Sequence, residues 1–559
     1  MKSKLPIGLV ILLTATGLAY GRQLKLATEL MRIDRGATAD VIIQFRNMPT
    51  QRHHAKVWAK GGVLRRELRL VKGGLYRVPA RALADLANDP DVAYISPNRP
   101  VAMMMDMTDA AVNASAAWQS NLDGTGIGIA IIDSGVSNHT DLRDSNGISR
   151  VVYSQDFVGG GTDDLYGHGT HVAGIAAGNG YDSTCPTCNH TFKGVAPNAN
   201  IINLRVLDQN GSGFDSNIID AIDQAIALKD TYNIRVISIS VGRPVFESYT
   251  LDPLCQAVEA AWKAGIVVVV AAGNNGRNNF ADTYGYGTIT APGNDPYVIT
   301  VGAVKTMGTP DRSDDQIASY SSKGPTMLDH VVKPDIVAPG NMVVSLLASP
   351  SATLSQTEPQ TLIPLSYYQQ TIDPSPSTVY FSLNGTSMAT PVVSGAAALL
   401  LQAVPSLTPD QVKAKLMATA FKNFPSYSVA SDPVTGQTYT SDYDVFTVGA
   451  GYLDIAAALA STDLPTGTAL SPTVAYDSVT DSVYLVTDPS TVWGTGVVWG
   501  TSVVWGTGVV WGTSVVSGTS LVWGTSTTEG FSVVWGTSVV WGTSSMAAES
   551  LNASINGEK

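Results

Sequence analysis

Charge is scarce in this chain. Asp, Glu, Lys and Arg make up 14% of its 559 residues, against 44% hydrophobic ones. There is apolar surface for a large core and too much length for one compact domain, so two to four units are expected. Cysteine is nearly absent, and three residues allow at most one bridge. Long apolar runs are missing as well. The run from Leu5 to Leu13 is too short to cross a bilayer. With Lys2 and Lys4 before it and the small residues Ala19 and Gly21 after it, residues 1–21 read as a secretory signal rather than a membrane anchor. Ile266 to Ala272 is apolar but is followed by Gly-Asn-Asn-Gly, the pattern of a buried parallel strand. No stretch is a bare basic run, so no nucleic-acid partner is expected.

The charge that is present is divided unevenly. Residues 22–102 hold 15 Lys and Arg against 7 Asp and Glu, whereas residues 103–559 hold 17 against 39. The basic segment mixes its charges with apolar strands and reads as complementary to the acidic remainder of its own chain. Asp40 to Phe45 and Val92 to Ser96 read as strands and Pro79 to Asn88 as a helix, a small α+β unit within residues 22–106. From Gly126 onward, strand patterns (Gly128 to Ile132, Ile201 to Leu207, Val236 to Val241, Val267 to Ala272) alternate with helical ones (Ile218 to Leu228, Val258 to Ala264). The alternation predicts an α/β domain over residues 107–460, a mostly parallel sheet with helices on both faces. Ser349 to Tyr380, rich in Ser, Thr, Gln and Pro, reads as a surface insertion, either the lip of a substrate cleft or a functionally silent loop.

Beyond this domain, residues 461–490 read as a Pro/Thr/Ser-rich linker and 546–559 as a polar C-terminus. Between them, residues 491–545 repeat a hexapeptide of the type Val-Val-Trp-Gly-Thr-Ser, with Trp at 493, 499, 505, 511, 523, 535 and 541. An even period keeps register with strand alternation, and no charge occurs from Pro489 through Thr528. A stacked β structure or an assembly-prone segment is expected.

Three distant segments carry the chemistry. They are Ile131-Ile132-Asp133-Ser134-Gly135, Gly167-His168-Gly169-Thr170-His171 and Asn384-Gly385-Thr386-Ser387-Met388-Ala389-Thr390-Pro391. A carboxylate, an imidazole and a hydroxyl, each beside glycine, are what nucleophilic acyl transfer needs, since a serine hydroxyl is inert until an oriented base takes its proton. Ser387 precedes an apolar helix pattern, which puts its hydroxyl at a helix N-terminus. A zinc-protease reading fails, because the segment lacks the Glu and the histidine spacing of His-Glu-x-x-His.

At these residues the chain resembles the subtilase family of serine endopeptidases, from about Asp109 to Ala460. The resemblance implies Ser387 as nucleophile, His168 as general base with His171 structural, and Asp133 as the carboxylate that orients the imidazole. In Ala271-Ala272-Gly273-Asn274 it implies Asn274 as an oxyanion donor beside the Ser387 N–H. Gly211-Ser212-Gly213 and Ser240-Val241-Gly242 match the segments between which an extended polypeptide substrate docks as a strand. Ala271, Ala272 and Gly273, with Ala291-Pro292-Gly293 opposite, wall the pocket before the scissile bond. Their small size implies broad preference for larger apolar side chains.

Residues 22–106 resemble the family's propeptide, an intramolecular inhibitor that leaves its tail in the cleft and is cut off near Ala102 to Ala111; the alternative is a small accessory domain that is never removed. The chemistry asks for no cofactor. Structural calcium is a family feature, but no ligand set aligns here, so no metal ligand is assigned and Asp141, Asp144, Asp163 and Asp164 are left as turn residues. Cys185 and Cys188 read as a local disulfide in an exported protein; a zinc site with His190 is the rival and lacks a fourth ligand. Cys255 reads as a buried free thiol. The expected function is a secreted or cell-surface, self-processed endopeptidase whose tail serves self-association or surface attachment. The reading from another class is a structural or adhesion protein that works through the Trp repeat, with an inactive protease scaffold.

Overall fold

The computed structural model describes residues 25–26, 30, 33–34, 36–68, 72–97, 108–278, 283–432, 436–477, 482–486, 491, 504–505, 509–510 and 558. The expected signal, the expected cut region up to residue 107 and most of the repeat lie outside them. Contacts divide the chain into two compact units, residues 1–102 and 103–559.

In the first unit, β1 (Thr38–Phe45), β2 (Val63–Leu68), β3 (Gly73–Pro79) and β4 (Val92–Pro97) form an antiparallel sheet in the order β2-β3-β1-β4. Ala39, Val41, Ile43 and Phe45 of β1 point inward and alternate with partly exposed neighbours, the period-two pattern of a sheet with one covered face. Helices Gln51–Ala59 and Leu83–Ala87 supply Val57, Leu83 and Leu86 to the same small core.

The second unit is built on β5 (Gly128–Asp133), β6 (Val151–Asp156), β7 (Asn200–Arg205), β8 (Ile234–Ile239), β9 (Val267–Ala271), β10 (Ile299–Lys305), β11 (Gln316–Ile317) and β12 (Ile336–Pro339). Their order is β6-β7-β5-β8-β9-β10-β11, with β12 also pairing β10, and every pairing except β10 with β11 is parallel. The sheet is therefore α/β and mostly parallel. Every residue of β5, β9, β10 and β12 is buried, as continuous apolar strands covered on both faces require. The neighbours of β5, which are β7 and β8, lead the chain to opposite edges. The crevice where winding direction changes therefore opens at the carboxyl end of β5.

The expected elements recur with shifted ends. Helix Asp215–Ala227 begins three residues early, and β7 and β8 each stop two residues before the apolar pattern does, because the chain turns into the site there. Helix Thr386–Ala403 is apolar enough to pass as a membrane span by length and composition, yet 83% of it is buried inside the protein. It is the central core helix.

Two segments of irregular composition carry regular structure. The 349–380 insertion carries helix Thr353–Thr357 and strand Leu362–Pro364 and runs into strand Pro376–Leu383, which pairs antiparallel with Leu362–Pro364 on one side and with Val343–Leu346 on the other, in a separate sheet. Buried Tyr367, Tyr368 and Tyr380, with Phe192, form its aromatic core. The stretch 461–490 contains an antiparallel hairpin, Thr473–Asp477 with Ser482–Val486, and buries Ala469, Val474 and Val483 in the main core. Polar composition hid a few well-placed apolar residues. In the repeat, Val504–Trp505 pairs antiparallel with Val509–Val510.

The same stretch completes a buried polar cluster. Oδ2 of Asp335 accepts from the Thr300 N–H at 2.8 Å and from Lys333 Nζ at 2.7 Å. Oδ1 accepts from the Ser471 hydroxyl and lies 3.2 Å from Lys413 Nζ.

Candidate active site

Asp133 is the last residue of β5 and is 1% exposed. Its Oδ1 accepts from the Ser134 N–H at 2.8 Å and bonds Nδ1 of His168 at 2.7 Å, while Oδ2 has no partner among the described residues. The bond fixes the tautomer: Nδ1 carries the proton toward the carboxylate, leaving Nε2 as the basic nitrogen. Burial works against a charged His168 ring. The charge and hydrogen bond of Asp133, with the charge of Asp164 behind them, outweigh it and raise the pKa above the usual imidazole value.

His168 opens helix His168–Ala177, which passes so close to the end of β5 that a Cβ on Gly169 would lie 2.2 Å from the Gly135 carbonyl oxygen. Only glycine fits there. The turn ahead of the helix is held by a residue that sequence reasoning left as a surface turn. Asp164 is 2% exposed and accepts from the Ser134 hydroxyl, the Gly167 N–H and the Thr170 N–H at 2.7–2.8 Å. An Asp three residues before a Gly-His pair was the available signal. His171, as expected, is structural: its Nε2 meets the Val343 carbonyl at 3.0 Å, and burial pushes its pKa down to about 3.

Ser387 is the second residue of helix Thr386–Ala403. Its hydroxyl donates to the Ser240 carbonyl at 2.9 Å, not to His168, and the Ser240 hydroxyl donates back to the Ser387 carbonyl at 2.9 Å. The reason lies four residues on. Pro391 sits inside the helix rather than at its first turn, and its missing N–H leaves the Ser387 carbonyl without its helical partner. The Ser240 hydroxyl fills that place.

Asn274 follows β9. Its Oδ1 accepts from the Thr386 N–H at 2.9 Å and the Thr386 hydroxyl at 3.0 Å. With the oxygen so held, Nδ2 is the group left to donate outward. Gly385 has φ +143°, and a Cβ there would stand 3.0 Å from this Nδ2. Thr386 thus clamps the predicted oxyanion donor, a role the motif alone did not reveal.

The segments expected to hold substrate lie at the same carboxyl ends. Gly211 and the exposed Ser212 and Gly213 form a turn closed by Ser212 and Asp208, and a Cβ on Gly211 would meet the Tyr166 ring. Ser240 is buried, Val241 half-buried and Gly242 exposed. Ala271, Ala272 and Gly273 are tied to the opposite wall by the Thr290 N–H to the Ala272 carbonyl, and that wall is joined to Arg243 through paired bonds with Ala291. The Arg243 guanidinium next to this edge is neutralised by Asp215 and Asp252. The insertion abuts the turn before His168, with N–H groups of Thr353 and Leu354 donating to the carbonyls of Leu165 and Tyr166, both at 3.0 Å.

Cys185 and Cys188 form a disulfide, with Cα atoms 4.9 Å apart, and His190 stacks on Tyr367. The zinc alternative is thereby overturned. Cys255 is a buried free thiol. His139, Asp141 and Asp182 place ligand atoms within 4.8 Å of one another. The buried Asp141 oxygens accept from the Asp182 N–H and the Tyr380 hydroxyl, so protein donors already engage the central carboxylate of the group.

A family model described as the subtilase family matches residues 124–451. Serine protease AprX of Bacillus subtilis strain 168 is 37% identical over 325 residues, covering 56% of this chain and 66% of that protein, just short of two thirds of its length. Subtilisin E of the same organism is 33% identical over 366 residues, covering 65% of this chain and 78% of that protein. Among solved structures, Sphericase aligns with 59% of this chain and 92% of its own at 29% identity, with a TM-score of 0.41.

Proposed function

The chain belongs to the subtilase family of serine endopeptidases, and we propose that it is an exported member that cleaves proteins through an acyl-enzyme formed on Ser387. The observation that carries this reading is the buried 2.7 Å bond between Asp133 and His168 at the carboxyl end of β5. In the proposed reaction the Ser387 hydroxyl turns from the Ser240 carbonyl to Nε2 of His168, which takes its proton as Oγ attacks the scissile carbonyl carbon. Asp133 holds the Nδ1 proton and stabilises the imidazolium. Negative charge on the carbonyl oxygen is received by Asn274 Nδ2 and the Ser387 N–H. His168 then protonates the leaving amine, and water, activated by the same base, releases the acyl group.

Substrate lies as an added strand between Gly211–Gly213 and Ser240–Gly242, held by backbone hydrogen bonds that make little demand on sequence. The small residues at 271–273 and 291–293, beside an Arg243 already neutralised, support a preference for larger apolar side chains before the cut. A peptide library that selected basic or acidic residues there would overturn it. Residues 22–106 act as a propeptide inhibitor, a role supported by their basic balance against an acidic body. The Cys185–Cys188 disulfide supports an oxidising compartment outside the cytosol. The uncharged Trp repeat serves self-association or surface attachment of an active enzyme; with the catalytic set chemically intact, the adhesion-only reading has no observation in its favour.

The test is Ser387→Ala in the full chain, followed by intact mass and N-terminal sequencing of exported material. Loss of both protein hydrolysis and propeptide release is expected. Maturation that continued unchanged would remove self-processing, and surviving hydrolysis would remove Ser387 as nucleophile.

A further inference from the structure

One buried cluster is left unused by this chemistry. Arg277 follows β9, Lys305 ends β10, and Ser319 and Asn341 stand beside them, so the pocket opens at the carboxyl ends of adjacent parallel strands. Both cations are nearly sealed, their side chains 3% and 4% exposed. Asp432 bonds Arg277 at 2.9 Å. The carboxylate that balances the second cation comes from the far end of the chain: Glu558, itself 4% exposed at its side chain. Its Oε1 accepts from Arg277 at 2.9 Å, from the Ser319 N–H at 2.9 Å and from the Ser319 hydroxyl. Its other oxygen lies 3.2 Å from Lys305 Nζ, an ion pair without a directed hydrogen bond. The Asn341 side-chain amide brackets the Glu558 backbone, donating to its carbonyl at 2.8 Å and accepting from its N–H at 2.9 Å.

We propose that Arg277, Lys305, Ser319 and Asn341 form a carboxylate-binding site whose ligand is Glu558, so that the chain beyond the repeat is fastened to the catalytic unit at this residue. The charge count requires such a ligand. Among the described residues Lys305 has Glu558 as its ion-pair partner, and without it the cluster holds two buried cations against one carboxylate. An uncompensated buried charge is among the costliest defects a fold can carry. The amide bracket adds selectivity for a peptide rather than a free ion, since it reads the backbone of the residue whose side chain fills the pocket. The site also backs the nucleophile turn. Asn341 lies between Gly340, whose carbonyl accepts from the Gly385 N–H at 2.8 Å, and Met342, whose N–H donates to the Asn384 side chain.

The test uses full-length protein carrying Ser387→Ala, which prevents self-cleavage and separates the outcome from any question of proteolysis. Adding Glu558→Gln lowers the thermal midpoint by about 5 °C. Replacing both partners, Lys305→Met with Glu558→Leu, recovers most of that loss, because removing the whole pair leaves no orphan charge. In a chain shortened to end at residue 551, a labelled peptide spanning residues 552–559 binds saturably by fluorescence anisotropy. The same peptide with Gln in place of Glu binds at least tenfold more weakly. An unchanged midpoint in the Glu558→Gln protein, no recovery in the double variant, or equal or absent binding of the two peptides would each overturn the site.

Discussion

Asp133 and Asp335 are buried to the same degree, 1% exposed each, and each faces a basic side chain, yet they are put to opposite uses. Every oxygen of Asp335 is engaged: a backbone N–H and Lys333 hold one, and Ser471 and Lys413 flank the other. Asp133 keeps one oxygen without a partner among the described residues, and its basic neighbour is an imidazole rather than an ammonium. A saturated carboxylate locks strands and helices together. An under-saturated one, set against an imidazole that can gain and lose a proton, is left able to respond when that proton moves.

The sharpest way to test this contrast is to remove charge at each site in turn. Asp133→Asn is expected to lower kcat about 10⁴-fold, by favouring the wrong imidazole tautomer, while leaving the urea midpoint close to the parent. Asp335→Asn should do the reverse. It strands Lys333 and Lys413, removes about 3–5 kcal/mol of stability in urea unfolding, and leaves kcat per folded molecule unchanged. If Asp335→Asn instead lost activity without stability, the division between the two sites would fail. Next in size, Asn274→Ala should lower kcat about 10²–10³-fold with KM little altered, because Nδ2 acts on charge present only in the transition state.

The smallest effect is on pH dependence, where the two sites part again. Neutral His168 is the active form, and its pKa is raised, so the acid limb of kcat/KM should have its midpoint above 6.5. In Asp133→Asn that midpoint should fall, since burial then goes largely unopposed. The stability linked to His168 is fully present below pH 6.5 and is lost as pH rises through the folded-state value. Asp335 has the opposite sign. Its pKa is lowered by Lys333 and Lys413 against the pull of burial, so its contribution is present above pH 3.8 and is lost as pH falls through the folded-state value. An acid limb at or below 6.5 in the parent enzyme would show that Asp133 does not control the imidazole.

The strings around Asp133, His168 and Ser387 made the chemistry legible, because each concentrates a reactive group and its enabling glycines within a few residues. The parallel sheet was legible for a similar reason: strands such as Val267–Ala271 are apolar without interruption. What escaped notice depends on partners far away in sequence. Asp164 looks like any turn aspartate until its three donors converge on it. Thr386 looks like motif filler until it grips Asn274. The Ser387 hydroxyl faces Ser240, and no local pattern reports a choice of rotamer. Composition misled most at 461–490, where Ser, Thr and Pro concealed the residues that seat a hairpin on the core.

The helix that begins at Thr386 is walled in along nearly its whole length. The proposed nucleophile therefore rides on a tightly packed part of the molecule, and any change meant to tune Ser387 through its own helix must disturb the packing that keeps the protein folded. The 349–380 lobe meets the histidine turn through the N–H groups of Thr353 and Leu354 and the Thr353 hydroxyl. A change in that lobe reaches His168 through the Leu165 and Tyr166 backbone rather than through the buried helix.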